Sequence, residues 1–263
     1  MYYYFVTKFI IMNFNNKVVL VTGGSSGIGA AIAIKFSAAG AKVAIVGRNE
    51  TKLKAVVEKC NNPLVIIADM TKENDVKRIA LETIAHFGRL DILVNNAGVA
   101  STESIKDANA LESYNAVMAT NVHSVVQLTH YLVPHIIATK GNIINISSVA
   151  AMMVSALVGF AYTTSKAALD HFTRSIASEL ASSGVRVNSV NPGPVKTDID
   201  AKLGIAKEES DAFWENAGKS TPLKRVSDSE EIADLVLFLA SDSARGITGS
   251  TFVSDNGLLV GAK

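Results

Sequence analysis

Short apolar runs separated by helix-like segments are the feature that most restricts how this chain can fold. Most of the runs are continuous rather than alternating, which is typical of strands buried on both faces of a parallel sheet. The predicted strands cover residues 17–22, 42–46, 64–68, 90–95, 142–147, 185–190 and 251–254, and the helical patterns cover 27–39, 73–87 and about 108–138, 161–182 and 229–240. This alternation predicts βαβ units in an α/β fold, a single-domain Rossmann-type doubly wound parallel sheet of about seven strands with helices on both faces.

The length of 263 residues suits one large domain, and no linker or repeat divides the chain. Residues 1–14 are rich in aromatic side chains and are predicted to be an N-terminal extension outside the catalytic core. The domain itself is predicted to span residues 15–263. Within it, residues 197–222 are more polar, contain the single tryptophan, Trp214, and lie where ligands bind in open α/β sheets, so we expect a substrate lid there.

Charge and hydropathy restrict the partners. With 25 Lys and Arg against 24 Asp and Glu, the net charge of +1 gives no sign of a nucleic-acid or anionic-membrane partner. Residues 141–165 form an uncharged run of 25 residues, but Asn145 and Ser148 interrupt it, so a strand and a loop are predicted rather than a membrane span. The single cysteine, Cys60, excludes an internal disulfide and fits a reducing compartment, so we expect a cytoplasmic protein.

A glycine-rich loop joins the first predicted strand to the first predicted helix. In the stretch TGGSSGIG, Gly23 permits a tight turn, Gly27 permits close approach of a pyrophosphate, and Gly29 permits close packing of helix on strand. The helix that follows presents free N–H groups and a positive dipole end to phosphates. The loop residues predicted to bind a dinucleotide are Gly23, Ser25, Ser26, Gly27, Ile28 and Gly29.

The end of the second strand bears on which dinucleotide is bound. Gly47 offers no carboxylate for the adenosine ribose, and Arg48 could pair with a 2′-phosphate, which favours NADP and leaves NAD possible. The alternative is that Arg48 is an exposed residue at the start of a helix. Asp69 and Met70, after the third strand, are also expected among the cofactor contacts. Asp69 could accept a hydrogen bond from the adenine amino group, or could only cap the helix after Thr71.

Tyr162 and Lys166 stand four residues apart on a predicted helix and therefore share one face. A tyrosine has an ordinary pKa near ~10, and a neighbouring ammonium favours the phenolate and lowers that pKa. Such a tyrosine could exchange a proton with a substrate oxygen during hydride transfer. The pair alone could also be an exposed helix pair, but it follows a sheet strand in a nucleotide-binding pattern.

Taken together, the motifs resemble those of the short-chain dehydrogenases/reductases, in their single-domain branch that binds NAD or NADP. The resemblance runs from about Asn15 to Gly257. It rests on TGGSSGIG at 22–29, NNAG at 95–98, Asn121, Ser148, YTTSK at 162–166 and NPGPVKT at 191–197. Ser148 lies 14 residues before Tyr162, slightly more than is usual in the family, and the intervening loop would absorb the difference.

The resemblance implies a role for each matching residue. Tyr162 would be the general acid/base, Lys166 would lower its pKa and hold the nicotinamide ribose, and Ser148 would bind the substrate oxygen. Asn121 would sit at a break in its helix and hold a water that links Lys166 to a proton relay. The cofactor contacts would include Tyr162 and Lys166 themselves. The further contacts would be Asn95, Ala97 and Gly98 on one side and Pro192, Gly193, Val195 and Thr197 on the other.

The predicted function is therefore transfer of a hydride between NADP and a small-molecule alcohol or carbonyl, without a metal ion, in a homotetramer or homodimer. Residues 149–161 offer no charge to an ionic substrate, which favours a neutral and mainly apolar one. A catalytically silent cofactor sensor or scaffold of the same fold is the alternative. An epimerase or dehydratase of the extended branch would need a further C-terminal domain, and an enoyl reductase usually separates its tyrosine and lysine by more than four residues.

Overall fold

The predicted parallel sheet is present and contains seven strands. The computed structural model describes residues 12–154, 157–198 and 205–261. The strands are β1 (Val18–Thr22), β2 (Lys42–Gly47), β3 (Leu64–Ile67), β4 (Ile92–Asn95), β5 (Asn142–Ile146), β6 (Arg186–Pro192) and β7 (Thr251–Ser254). Their order across the sheet is β3-β2-β1-β4-β5-β6-β7, and every neighbouring pair is parallel. The predicted Rossmann-type fold is confirmed.

Helices connect successive strands, as parallel pairing requires. They are α1 (Gly27–Ala38), α2 (Glu50–Val57), α3 (Glu73–Phe87), α4 (Ala110–Met118), α5 (Ser124–Thr139), α6 (Phe160–Leu180), α7 (Ser210–Ser220), α8 (Ser229–Ala240) and α9 (Leu258–Gly261). The helix predicted over 108–138 is in fact two helices, because a π-helical turn, Ala119–His123, separates α4 from α5. The short helix α2, for which the sequence analysis proposed no boundaries, begins after Asn49, whose side chain accepts a hydrogen bond from the Lys52 amide at 2.9 Å.

Two hydrophobic layers cover the two faces of the sheet. Successive side chains of a strand point to opposite faces, and in β1 Val19 and Val21 join the layer under α1 and α8. Val18 and Leu20 join the opposite layer, under α3 and α5. A strand buried on both faces needs apolar residues at every position, which explains the continuous apolar runs of the sequence.

The last residue of the predicted N-terminal extension belongs to the hydrophobic core. Phe14 is buried, and its ring lies edge-on to that of Phe36 with 4.8 Å between centroids. The amide of Phe14 also donates to the carbonyl of Ala39 at 2.9 Å. The core therefore begins before residue 15, while residues 1–11 of the extension lie outside the described residues.

The described part of the chain contains no candidate for a membrane-spanning helix or a metal site. None of its helices is both long and apolar enough to cross a membrane. Among the same residues, no group of three or more His, Cys, Asp and Glu side chains is placed to hold a metal ion. The uncharged run at 141–165 is divided between the buried strand β5, a short 3₁₀ turn at Val149–Ala151 and the start of α6.

The order of the strands determines where a ligand can bind. Connections from β1 lead to one side of the sheet through β2 and β3, and the chain then returns to place β4 on the other side of β1. Such a reversal leaves a crevice at the carboxyl ends of the two central strands. The glycine-rich loop after β1 and the NNAG stretch after β4 both reach this crevice.

Candidate active site

A cleft of about 350 Å³ opens at the carboxyl ends of the strands. Most of the residues predicted from the sequence to bind cofactor or substrate line it. They are Gly23, Ser25, Ser26, Gly27, Ile28, Gly29, Arg48, Asp69, Met70, Ala97, Gly98, Ser148, Tyr162, Pro192, Gly193, Val195 and Thr197. Lys166 and Asn121 lie directly behind its wall, buried at 4% and 1% exposure.

The glycine-rich loop forms a cradle suited to a pyrophosphate. Gly23 and Gly27 adopt the left-handed conformation, with φ of +66° and +53°, and an added Cβ at Gly27 would stand 2.9 Å from Cγ2 of Thr197. The first turn of α1 contains no acidic residue, and Ser26 at its N-cap makes no side-chain capping hydrogen bond. The N–H groups at this helix end are therefore available to an anion, so the residues present fit the phosphates of a dinucleotide.

Arg48 and Asp69 face each other where the adenosine of a dinucleotide would lie. Arg48 is two-thirds exposed, and its Nη1 is 3.9 Å from Oδ2 of Asp69. Oδ1 of Asp69 accepts hydrogen bonds from the amide and the hydroxyl of Thr71, at 3.0 and 2.9 Å. These two bonds, that of the amide above all, together with the charge of Arg48 hold the pKa of Asp69 below its ordinary value. Asp69 therefore caps the turn at Thr71 and also lines the cleft.

Ser148 and Tyr162 meet at the wall of the cleft. Ser148 follows β5, Tyr162 lies in the first turn of α6, and their side chains are hydrogen-bonded to each other. The hydroxyl of Ser148 also accepts a hydrogen bond from the amide of Ala150 at 3.1 Å. The two hydroxyl groups thus lie side by side, where one substrate oxygen could contact both.

Lys166 lies one helical turn after Tyr162, with its ammonium against the end of β5. Its Nζ donates a hydrogen bond to the carbonyl of Ile146 at 2.8 Å and stands 5.6 Å from the centroid of the Tyr162 ring. Burial lowers the pKa of Lys166 to about 8, while the negative charge of Asp170 opposes this. An ammonium has three N–H groups, so the bond to Ile146 leaves others for a ligand.

The pKa of Tyr162 differs from the expectation drawn from the sequence. Burial of the phenol raises its pKa, and the hydrogen bond with Ser148 only partly opposes this. The lowering by Lys166 that the family resemblance implies is not seen in this arrangement. The physical reason is that the ammonium points at the Ile146 carbonyl rather than at the phenol oxygen, so desolvation outweighs the attraction of the charge.

Asn121 occupies the π-helical turn between α4 and α5, a break in the helix that the resemblance implied. Its amide donates to the carbonyl of Val99 at 2.9 Å and to the hydroxyl of Ser165 at 3.0 Å, and its Oδ1 accepts from the Val99 amide at 2.8 Å. The side chain thus clamps the loop after β4 onto α6.

Asn95 does not line the cleft, in contrast to its place among the predicted cofactor contacts. It is the last residue of β4, and its side chain points into the protein, where Nδ2 donates to Oδ1 of Asn145 on β5 at 2.8 Å. The cleft is instead lined by the next residue, Asn96, whose Nδ2 donates to the carbonyl of Thr22 at 2.9 Å. Because consecutive strand residues point in opposite directions, a motif alone does not decide which asparagine reaches the cleft.

Apolar side chains that the sequence analysis did not assign as site residues form the part of the cleft beside Ser148 and Tyr162. They come from the loop before α6, from α7 and from the start of α9. They are Met153, Leu157, Val158, Phe213, Trp214 and Leu258. In the sequence, the features that could have identified this apolar part of the cleft are the uncharged loop at 149–161 and the single tryptophan, Trp214. Of the described residues of the predicted lid, those that line the cleft are Thr197, Asp198, Phe213, Trp214 and Ala217, and residues 199–204 lie outside the described part.

The fold and the cleft together define a class of protein, an oxidoreductase with a Rossmann fold that binds NAD or NADP. Comparison with known proteins narrows this class. A family profile described as "Enoyl-(Acyl carrier protein) reductase" matches residues 23–259. The chain belongs to the short-chain dehydrogenase/reductase family.

The relatives that match nearly the whole chain include two that are named as sugar dehydrogenases. A glucose 1-dehydrogenase of Gluconobacter oxydans is 39% identical over 253 residues, covering 93% of this chain and 92% of the relative. An L-fucose dehydrogenase of Bos taurus is 34% identical over 246 residues, covering 93% and 90%. A short-chain dehydrogenase/reductase of unknown function from Caenorhabditis elegans, crystallised with cofactor, is 35% identical with a TM-score of 0.88, covering 94% of this chain and 96% of that one.

Proposed function

We propose that this chain is an NADP-dependent oxidoreductase that transfers a hydride between the nicotinamide and a secondary alcohol or carbonyl that is neutral and mainly apolar. The observation that carries the proposal is the hydrogen-bonded pair of Ser148 and Tyr162 on the wall of a cleft whose other end is the glycine cradle. NADP, when bound, supplies or accepts the hydride. The proton that accompanies it must come from the protein.

Tyr162 is the proposed general acid/base, and Ser148 the proposed partner of the substrate oxygen. During carbonyl reduction, negative charge develops on that oxygen, the Ser148 hydroxyl stabilises it by a hydrogen bond, and the Tyr162 hydroxyl donates a proton to it. During alcohol oxidation the same two groups act in reverse, with Tyr162 accepting the proton. Apolar side chains around the pair exclude water and strengthen these hydrogen bonds.

Lys166 and Asn121 are proposed to support this proton transfer. The free N–H groups of Lys166 would hold the nicotinamide ribose, and its charge would favour the phenolate of Tyr162 once the ammonium turns toward that hydroxyl. Asn121 would hold the loop after β4 next to Lys166. An added Cβ at Gly98, in that loop, would stand 3.3 Å from the Asn121 Oδ1 and 3.6 Å from the Lys166 Nζ, so this wall is tightly packed.

Arg48 supports the preference for NADP, and its replacement by alanine tests that preference. Loss of a charged hydrogen bond to the 2′-phosphate costs about 1.5–3 kcal/mol, so Arg48→Ala should raise KM for NADPH about 10- to 100-fold. KM for NADH, which lacks that phosphate, should change little. Lys54→Ala is the matched control, since Lys54 is an exposed basic residue on α2 that pairs with Glu50 and does not line the cleft. Equal losses for NADPH and NADH in Arg48→Ala would contradict this role.

A substrate panel tests the proposed reaction and substrate class together. Among the described residues, the cleft beside Ser148 and Tyr162 is lined mainly by apolar side chains, which offer few partners to the hydroxyl groups of a sugar. We therefore expect apolar ketones to be reduced with NADPH at a kcat/KM at least about tenfold above that for oxidation of D-glucose or L-fucose with NADP, since each unpaired polar group costs about 1–3 kcal/mol. Initial rates with NADPH and NADH measure both preferences.

The remaining outcomes of the panel separate the alternatives. Selectivity for either sugar over the ketones would overturn the apolar substrate and place the chain with its glucose and fucose dehydrogenase relatives. Reduction of an enoyl thioester alone would instead match the description of the family profile. Tight NADPH binding without turnover of any member would favour the catalytically silent alternative.

A further inference from the structure

A buried carboxylate beneath the catalytic pair takes no part in the proposed mechanism. Asp170 lies on α6 one turn after Lys166 and two turns after Tyr162, so the three share one helix face. Its exposure is 4%. Oδ2 accepts a hydrogen bond from Nδ2 of Asn191 at 2.7 Å, whereas buried Oδ1 has no hydrogen-bond partner within the described part of the chain.

A buried site with so few hydrogen bonds is unfavourable for a carboxylate unless its negative charge stabilises a neighbouring group. Removing an ionised group from water is costly, and the cost is recovered only by good hydrogen bonds and a charge partner. One hydrogen bond satisfies a small part of the acceptor capacity of a carboxylate, which offers about four lone-pair sites. A buried and incompletely satisfied acid next to a cleft is therefore a candidate for a functional role.

The group on which Asp170 acts is Lys166. Among the described residues, the ionisable side chains that face Lys166 are Tyr162 and Asp170, both on its own helix. The neighbouring elements present groups that do not ionise: β5 presents the carbonyl of Ile146, and the π-helical turn presents the amide of Asn121. Burial disfavours the charged form of Lys166, and the negative charge of Asp170 favours it.

Asn191 connects the same carboxylate to the other side of the site. Its Nδ2 donates one hydrogen bond to Asp170 and a second to the backbone carbonyl of Ser148 at 2.9 Å. Because both acceptors are oxygen atoms, the Nδ2 end of the Asn191 amide must face them. Asp170 thereby orients Asn191, and Asn191 holds the backbone of the serine that would bind the substrate oxygen.

We propose that Asp170 is a positioning residue that keeps buried Lys166 protonated and, through Asn191, fixes Ser148 beside Tyr162. The inference rests on the proposed function, in which Lys166 must carry its charge while Tyr162 carries or accepts a proton. Tyr162, Lys166 and Asp170 then form one row along α6, in which Asp170 is the residue farthest from the cleft.

Removal of the charge has a defined sign. The negative charge of Asp170 raises the pKa of Lys166, so its loss lowers that pKa. Carbonyl reduction requires a charged Lys166, and activity is therefore lost as the pH rises through the pKa of this side chain. Asp170→Asn should move this loss to lower pH by about one unit, at the low end of shifts caused by close charges.

The experiment measures the pH profile of kcat/KM for NADPH-dependent ketone reduction in the full chain. Asp170→Asn should shift the profile, and Asp170→Glu, which retains the charge, should restore most of it. Thr173→Val is the matched control, because Thr173 is buried on the same helix and its hydroxyl accepts from Asn145 at 2.8 Å without any charge. The Thr173→Val variant should have a lower melting temperature and an unchanged pH profile of kcat/KM.

A profile that stays in place in Asp170→Asn, while activity falls in proportion to stability, would overturn the proposal. If Asp170→Asn does not fold, Asp170→Leu removes the charge with an apolar side chain, and the same shift is expected. If the wild-type chain reduces no ketone, the proposed function fails, and the pH titration of the Lys166 side chain by NMR still decides the inference. The Lys166 signal is identified by its absence in Lys166→Met, and its midpoint should lie at lower pH in Asp170→Asn.

Discussion

Replacing Tyr162 with phenylalanine is expected to lower kcat/KM for ketone reduction by about 10²–10⁴-fold, the range that general acid/base catalysis contributes. The side chain of Tyr162 is hydrogen-bonded to that of Ser148 at the wall of the cleft, so its hydroxyl is placed to donate a proton to a bound carbonyl. Phenylalanine keeps the ring and its packing but cannot donate. Steady-state kinetics with NADPH measure the loss.

Two observations separate this loss from damage to the fold. NADPH affinity, followed by nicotinamide fluorescence, should be nearly unchanged in Tyr162→Phe, because the glycine cradle lies at the other end of the cleft. Tyr114→Phe is the matched control: the Tyr114 ring stacks on Phe160 at 6.1 Å between centroids, outside the cleft, and the variant should keep the original kinetics. Full activity in Tyr162→Phe would remove this residue from the mechanism.

Replacing Lys166 with methionine is expected to lower kcat/KM by about 10²-fold or more. Methionine has a similar length and keeps the packing, but it removes the N–H groups proposed to hold the ribose, each charged hydrogen bond being worth about 1.5–3 kcal/mol. It also removes the charge that favours the phenolate of Tyr162. The same kinetic assay, with KM for NADPH recorded separately, detects both losses.

The stability of Lys166→Met gives a second readout. Removing Lys166 leaves the buried carboxylate of Asp170 without the positive charge nearest to it on α6, which should lower the melting temperature. The double variant Lys166→Met with Asp170→Leu removes both charges and should regain most of the melting temperature while remaining inactive. Recovery of activity together with stability in the double variant would show that Lys166 serves only the fold.

Much of the fold could be predicted because its signals are local. Strands such as β1 and β2 are continuous apolar runs since they are buried on both faces, and burial on both faces is a property of central strands in a parallel sheet. The predicted C-terminal end of β6 came two residues too early, since pairing of Pro192 with Ser254 extends the strand into the NPG motif. The π-helical turn at Asn121 left no signal in apolar periodicity, and only the family resemblance implied a break in the helix there.

The candidate site was less predictable than the fold. The glycine loop and the Tyr162–Lys166 spacing are short-range patterns, and the structure brings them to one cleft as expected. By contrast, Asp170 and Asn191 lie 21 residues apart in sequence and meet only because α6 packs across β6. The apolar part of the cleft is similarly formed by residues from three separate segments of the chain, among them Met153, Phe213 and Leu258.

By itself, the sequence determined the class of fold, the position of the glycine cradle, and the identity of the serine and tyrosine that line the cleft and of the lysine behind its wall. It could do so because periodicity and motif spacing act over a few residues of contiguous chain. Only the tertiary structure decided that Asn96 rather than Asn95 faces the cleft, that Phe14 belongs to the core and that burial raises the pKa of Tyr162. Each of these depends on which strands and helices meet and on how much water they exclude, and those quantities arise only when distant parts of the chain pack together.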